Sequence, residues 1–256
     1  MYKRQIEGCD PYKEKYIHFG DGAHAWRQNW CKAKFPRQFR DHVCVPAEFH
    51  GHHHFQEGAV ELNWHHNYEP IVLHFDVGAR FSKKANMKDY STRLRWSLII
   101  LTATLLWLKS WCPEELLDDI PALLHNVRNN LPVWDFIGFA FYFLSPIHFF
   151  KEAMQCSDTG ILDFMWPYSL RVYQGTQKRI YKCLCVIAHK IHKDSEQRVR
   201  YILKHFRTVS DTERRCAAMA LDLKNEKVPP SARTLNLIIY LFPVECCVRN
   251  RSQVPV

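Results

Sequence analysis

The spacing of apolar residues after position 90 constrains the fold of this chain more than any other feature. From Ser91 onward, apolar side chains recur every three or four residues, as in Leu94, Leu98, Leu101, Leu105 and Leu108. This is the period of one face of an α-helix. The same period returns in later segments up to about residue 243, among them a helix from residue 113 or 114 to about 129 and a helix with Val199, Ile202, Leu203 and Phe206 on one face. The sequence therefore predicts a mainly α protein.

The part before residue 90 has a weaker pattern. Residues 59–64 and 71–75 alternate between apolar and polar side chains, which favours short strands or irregular structure. We therefore expect a two-lobed helical protein with a few short strands in its N-terminal part.

The organisation along the chain follows from these patterns. We expect an N-terminal lobe at residues 6–130, a basic helical lobe at residues 131–243, and a C-terminal tail or arm at residues 244–256. Residues 1–5 resemble the translated end of a sequencing adapter, so we expect them to be an artefact that precedes the protein proper.

Two apolar runs raise the question of a membrane span. Residues 96–108 are fewer than the roughly 20 residues that a spanning helix needs. Residues 133–150 contain Asp135, Pro146 and His148, which are costly or helix-breaking groups in hydrocarbon. Both runs are therefore predicted to be core segments, and no membrane span is expected.

The positive charge is concentrated in one segment. The chain has a formal net charge of +9, and residues 171–215 hold twelve Lys or Arg against four Asp or Glu. Such a field attracts phosphates or an anionic surface. Any nucleic-acid contact is therefore expected here.

One helix in this segment has two distinct sides. Ile180, Leu184, Ile187 and Ile191 share an apolar face. The basic residues fall on the opposite side of the same helix: Lys178, Arg179, Lys182, Lys190 and Lys193.

Aromatic side chains are interleaved with these cations. They are Trp166, in an extended Trp-Pro stretch that opens the segment, then Tyr168, Tyr173 and Tyr181. Cations neutralise backbone phosphates and rings stack on unpaired bases. The combination indicates a groove for single-stranded RNA or DNA.

The stretch Phe49-His50-Gly51-His52-His53-His54-Phe55 suggests a different chemistry. On a strand, His52 and His54 would point to the same side, as do the paired metal ligands of rolling-circle nucleases. Tyr181-Lys182 would then supply the nucleophile and its lysine. The other interpretation is that these histidines are surface or packing residues.

Other catalytic signatures are missing from the sequence. It has no nucleophile elbow, Walker loop, His-Glu-x-x-His motif or glycine fingerprint. We therefore expect a non-enzymatic protein without a cofactor.

The order of five segments resembles a known protein family. They are STRLRWSLIIL, FAFYFLSPIHFFKEAM, WPYSLRVYQGTQKR, RCAAMALDLKNE and ARTLNLIIYLF, within about residues 90–243. Orthobunyavirus-type nucleoproteins show, in the same order, a Leu-Ala-Arg-Trp helix, an aromatic block, a Tyr-Pro followed by a basic Gln-Gly turn, an Ala-rich helix and a terminal helix.

The resemblance implies a viral nucleoprotein that encapsidates single-stranded genomic RNA in a basic groove. It would form homo-oligomers through terminal arms, meet a viral polymerase, and occur in the virion and the host cytoplasm. Arg95 matches the arginine of the first motif, and Arg171 matches the basic turn. By the charge pattern, Lys178, Arg179 and Lys182 would extend the groove, and Trp166 or Tyr173 would stack on bases or shape it.

Two alternatives stay open at this point. One is the metal-dependent nuclease, or a transposon-derived DNA-processing protein, that uses His52 and His54. The other is an interaction protein whose basic face meets an acidic partner.

Overall fold

The computed structural model describes residues 16–74, 89–206, 208–209 and 219–220, and most of them are helical. The predicted mainly α class is confirmed. In chain order the elements are β1 (Tyr16–Gly20), α1 (Gly22–Lys34), β2 (His42–Pro46), α2 (Glu48–Asn63), a π-helical turn (Trp64–Tyr68), α3 (Glu69–His74), α4 (Tyr90–Trp111), α5 (Glu114–Leu117), α6 (Ile120–Val127), α7 (Leu131–Phe139), a second π-helical turn (Ala140–Leu144), α8 (Ser145–Cys156), α9 (Thr159–Gln174), α10 (Arg179–Asp194), α11 (Gln197–Phe206), β3 (Thr208–Val209) and β4 (Met219–Ala220).

The described part of the chain begins with a β–α–β unit. β1 and β2 pair in parallel, with Tyr16 opposite His42 and Gly20 opposite Pro46. α1 makes the crossover that parallel pairing requires, and Asp21 caps it by accepting a hydrogen bond from His24 N at 2.7 Å. One face of the strand pair packs on α11 in a small apolar cluster: Ile17, Phe19, Val45, Val199, Ile202 and Leu203.

The N-terminal strands are therefore not where the sequence pattern predicts them. Residues 59–63 belong to α2 and His74 ends α3, so the strand prediction is wrong there; Phe75 lies outside the described residues. The buried side of α2 is helical in spacing, but Gly51, His52 and Gln56 interrupt its apolar residues Phe55 and Val60. A hydrophobicity pattern does not register such a face.

The main core joins residues from both halves of the chain. Phe55 and Trp96 pack in the same apolar cluster as Phe139, Trp166 and Leu184. Residues on both sides of position 130 thus share one apolar cluster, and the division into two lobes stays a prediction. α9 is central to it, since it packs against α2, α8 and α10.

α4 has the predicted bounds but a different buried face. Leu101 and Leu108 are buried, whereas Leu98 and Leu105 are exposed. Arg93, Ser97 and Thr104 complete the buried side. The predicted leucine face is thus only partly confirmed, because polar residues occupy core positions of this helix.

Two further predictions about helices are wrong. The helix predicted from residue 114 to about 129 is interrupted after α5, and Asp119 caps α6 by accepting a hydrogen bond from Ala122 N at 3.0 Å. Trp166 and Pro167 are not extended but lie inside α9, which starts after the cap residue Asp158. Because Trp166 is buried in the core, the helix continues past Pro167 without a break.

α7, the second π-helical turn and α8 run continuously from Leu131 to Cys156. Among the described residues this is the single helix long and apolar enough to cross a membrane. Ile137, Leu144, Ile147 and Phe150 of this helix are buried in the fold.

The C-terminal predictions are tested only in part. The face Val199, Ile202 and Leu203 of α11 is confirmed as buried. Met219 and Ala220 form β4, so the helix predicted around them is wrong for these two residues. The terminal helix, the tail at residues 244–256 and the adapter-like residues 1–5 lie outside the described residues.

Candidate functional site

α10 presents the predicted basic side to solvent. Arg179, Lys190 and Lys193 are exposed, while Leu184, Cys185 and Ala188 of the same helix are buried. Within the described part of the chain, no ion pair engages these three cations. We call them the α10 cations. Ile180 is predicted to lie on the apolar face, but it is 41% exposed.

A second basic group adjoins the start of α10. Lys182 Nζ donates to Gln174 O at 3.3 Å, at the end of α9. Arg171 is exposed one turn before Gln174 on the same side of α9. Arg171 near the end of α9 and Lys182 near the start of α10 thus belong to two helices that pack against each other, and that both contact phosphates stays a prediction.

Arg171 borders a shallow aromatic pocket. Its guanidinium lies 6.0 Å from the centre of the Tyr168 ring. Tyr168 Oη donates to Tyr142 O at 2.7 Å, and Phe143 and Val172 complete the lining. Tyr142 is 48% exposed, so a ring beside the arginine is open to a planar ligand. We call Tyr142, Tyr168 and Arg171 the aromatic pocket.

The two rings predicted to stack on bases are core residues. Trp166 is 1% exposed and its Nε1 donates to Glu48 Oε2 at 3.1 Å. Tyr173 is fully buried and its Oη donates to Gly51 O at 2.9 Å. Stacking by either ring is therefore wrong, because neither face is open to a base. That they shape the adjoining surface stays a prediction.

Arg95 and Lys178 lie elsewhere. Arg95 is exposed on α4, which packs mainly against α2, α8 and the second π-helical turn. Lys178 does not face solvent freely, because its Nζ lies 2.5 Å from Glu57 Oε2. Lys178 therefore neutralises a carboxylate of the protein itself.

The histidine stretch lies on α2, not on a strand. His52 is fully buried, and its Nε2 donates to Ile147 O at 2.8 Å while its Nδ1 accepts from Tyr90 Oη at 2.9 Å. Burial lowers the pKa of His52 to about 3. Both ring nitrogens are engaged, and His54 points to another side of the helix. The predicted His52–His54 metal pair is therefore wrong.

A different histidine group does converge. His53 Nε2 lies 3.2 Å from Glu57 Oε1, and His54 Nδ1 lies 2.7 Å from Glu57 Oε2. Lys178 Nζ also lies 3.3 Å from His54 Nδ1, and Arg93 Nη1 lies 3.9 Å from Glu57 Oε1. We call His53, His54 and Glu57 the His–His–Glu cluster.

The electrostatics of this cluster centre on the glutamate. Burial opposes ionisation of Glu57, but hydrogen bonds from His53, His54 and Lys178 outweigh it and hold the pKa of the carboxyl well below its usual value. Burial lowers the pKa of His54, although its hydrogen bond to Glu57 opposes that shift. The cluster is thus an ionised carboxylate between two imidazoles and an ammonium group.

Tyr181 packs against this cluster. Its ring centre lies 4.1 Å from that of His54. A Cβ added at Gly22 would collide with Tyr181 Oη, so the phenol is wedged against the first turn of α1. This packing does not place the phenol beside His52, as the nuclease interpretation of Tyr181 and Lys182 would require.

Sequence reasoning missed His53 and Glu57. Their spacing, His-His-x-x-Glu, places both imidazoles one helical turn from the carboxylate. The signal is present in the sequence, but it becomes visible only when residues 48–63 are recognised as a helix.

The chain matches no protein-family model, and no curated protein and no solved structure is similar to it.

Proposed function

We propose that this protein binds single-stranded nucleic acid through the α10 cations and the aromatic pocket, as a binding protein rather than an enzyme. The observation that carries the proposal is the exposure of Arg179, Lys190 and Lys193 along one side of a helix whose other side is buried. Cations held on a packed helix can neutralise successive phosphates with little sequence preference.

The aromatic pocket supports single-stranded over duplex nucleic acid. Tyr142 offers an open ring, and Arg171 lies over Tyr168 as a cation that can contact a phosphate or the face of a base. Bases can reach such a ring only when they are unpaired. Arg171 and Lys182 supply phosphate contacts next to it.

Encapsidation of genomic RNA is the specific form of this function that the resemblance to orthobunyavirus-type nucleoproteins implies. In that form the protein assembles into oligomers through terminal arms, meets a viral polymerase, and acts in the virion and the host cytoplasm. Arg95, exposed on α4, would then be a further RNA contact.

The direct test is the affinity for a fluorescent oligouridylate of about 20 nucleotides, long enough to span several phosphate contacts. The variant Arg179→Gln, Lys190→Gln, Lys193→Gln removes the α10 cations. The matched control Arg37→Gln, Arg40→Gln, Lys109→Gln removes three exposed cations on other parts of the chain, so both variants lose the same net charge. We expect at least tenfold weaker binding for the first variant and a much smaller change for the control.

An equal loss in both variants would contradict the proposal, because net charge alone would then explain binding. No binding by the parent protein would also contradict it. Circular dichroism and thermal unfolding of each variant check that the fold is intact.

Encapsidation needs a separate test. The purified protein should show a nucleic-acid absorbance spectrum that ribonuclease changes only after high salt, and it should protect fragments of uniform length on an oligomer. A monomer that binds oligouridylate but protects no fragment would contradict encapsidation and leave nucleic-acid binding in place. Binding of an acidic protein without protection of RNA would favour the interaction-protein alternative.

A further inference from the structure

The His–His–Glu cluster brings three potential metal ligands to one point of the surface. The ligand atoms of His53, His54 and Glu57 all lie within 4.8 Å of one another. The two histidine–carboxylate distances, 3.2 Å and 2.7 Å, are already near the roughly 3.3 Å that separates neighbouring ligands of a tetrahedral zinc ion. Small side-chain rotations would bring the three atoms around one ion.

The ligands are held in place by their surroundings. All three come from one helix, so their spacing is fixed by the backbone. The ring of His53 stacks on Tyr90 with a centre separation of 6.0 Å and an angle of 6° between planes. The ring of His54 lies against Tyr181. Each ligand is half-buried, so the cluster is reachable from solvent.

Lys178 now supplies the positive charge that Glu57 requires. Its ammonium group is within hydrogen-bond distance of both Glu57 and His54. Its side chain is 20% exposed and extends from the residue that precedes α10, so it can turn toward solvent. Arg93, by contrast, is buried, with its Nη1 3.9 Å from Glu57 Oε1 and its Nη2 3.3 Å from His53 Nε2, so an ion bound by His53 has to displace this second contact.

We propose that His53, His54 and Glu57 bind a divalent transition-metal ion of the zinc class, and that Lys178 competes with this ion for the carboxylate. Two imidazoles and one carboxylate suit Zn²⁺, Ni²⁺ or Cu²⁺ rather than Mg²⁺ or Ca²⁺, which prefer oxygen ligands. Three protein ligands leave a further coordination position for water or an external ligand. The proposed metal site uses none of the α10 cations, so it does not depend on the proposed binding of nucleic acid.

Substitution of Lys178 is expected to tighten metal binding, a result that misfolding of the variant cannot produce. Coulomb's law, even with the dielectric constant of water, predicts about tenfold tighter binding of a divalent ion when a single positive charge some 5 Å away is removed. Lys178→Met removes this charge and keeps the alkyl chain. A gain of affinity requires a folded site.

The experiment is titration of the metal-free protein with Zn²⁺ by calorimetry, repeated with Co²⁺ to follow its visible absorption. We expect one site in the parent, at least tenfold weaker binding in Glu57→Gln and in His54→Ala, and about tenfold tighter binding in Lys178→Met. The control is Glu69→Gln, because His65 and Glu69 form a similar helical pair, 2.8 Å apart, without a third ligand among the residues described. It should bind like the parent.

Four results would overturn the site. One is the absence of a Zn²⁺ site in both the parent and Lys178→Met. Another is unchanged affinity in Glu57→Gln, which would place the ion on other histidines. The third is affinity in Lys178→Met that is equal to or weaker than that of the parent. A Co²⁺ spectrum that Glu69→Gln abolishes would likewise assign the ion to the other pair.

Discussion

Mild acid should weaken this protein through the buried imidazole of His52. The side chain is fully buried, and burial, with smaller contributions from His148, His53 and Lys151, lowers its pKa to about 3. In the unfolded chain the pKa of histidine is about 6.5. Between these values the unfolded state binds a proton that the folded state does not, so the free energy of unfolding falls as pH falls.

The magnitude follows from the two pKa values. Each pH unit between them changes the free energy of unfolding by about 1.4 kcal/mol. The unfolded chain takes up the proton below about pH 6.5, so lowering the pH from about 7.5 to about 4.5 removes about 3 kcal/mol through His52 alone. This is a large part of the roughly 5–15 kcal/mol that is typical of a folded domain.

The assay compares the parent with His52→Gln by urea unfolding at about pH 7.5, 6.0 and 4.5, which spans the titration of the unfolded chain. The glutamine amide of this variant can donate to Ile147 O, as His52 Nε2 does, but it does not titrate. His18, His54 and His148 also have lowered pKa values, and they contribute to both proteins equally. The stability of the parent should therefore fall by about 3 kcal/mol more than that of the variant.

Parallel pH profiles for the two proteins would refute this reasoning. They would mean that His52 is protonated in the folded state, or that it is accessible to water. Either result would reopen the question of whether it can bind a metal ion.

Three further predictions follow from the packing and the surface. In a double-mutant cycle measured by urea unfolding, the effects of Glu57→Gln and Lys178→Met on the free energy of unfolding should be coupled by about 1–3 kcal/mol. Additive effects would show that the ion pair is not formed. Gly51→Ala should lower stability by about 1–3 kcal/mol, because a Cβ there would lie 2.8 Å from Trp166 Cη2; an unchanged melting temperature would contradict that contact. Tyr168→Ala should weaken oligouridylate binding by about 1–3 kcal/mol, because its ring lines the aromatic pocket. Trp166→Phe should change the stability of the protein but not its affinity for oligouridylate, because Trp166 is buried. The reverse outcome would show that Trp166, and not Tyr168, contacts the nucleic acid.

The helices that sequence reasoning predicts well are those whose buried face is aliphatic. α10 is the clearest case, because Leu184 and Ile187 on one side and Arg179 and Lys190 on the other encode both its core side and its surface side. α11 follows the same rule. In such segments the positions of the apolar residues in the sequence directly indicate which side of the helix is buried.

α2 shows why hydrophobic patterning fails in the N-terminal part. Its buried residues include Gly51, His52 and Gln56, and these lack the apolar signal of a core face. Gly51 is buried because Trp166, distant in sequence, occupies the space next to it. Tertiary contacts of this kind are not encoded in local spacing.

The predictions about site residues are correct where local helix geometry decides exposure, and wrong where a contact distant in sequence decides it. Exposure of Arg179 follows from local helix geometry and is correct, whereas Arg171, which the resemblance places in a basic turn, is exposed but lies inside α9. The charge pattern places Lys178 on the phosphate-binding surface, but its partner is Glu57, on a helix that is remote in sequence. Composition likewise favours stacking by Trp166 and Tyr173, because it does not distinguish an exposed ring from a buried one.

The salt dependence of oligouridylate binding tests the central claim most directly. Each phosphate contact on a single strand contributes about 0.7 to the slope of log affinity against log salt concentration. The variant Arg179→Gln, Lys190→Gln, Lys193→Gln should therefore have a slope about 2 units shallower than the parent. The control Arg37→Gln, Arg40→Gln, Lys109→Gln should keep the slope of the parent. The same slope in all three proteins would contradict the assignment of the α10 cations as the surface that binds nucleic acid.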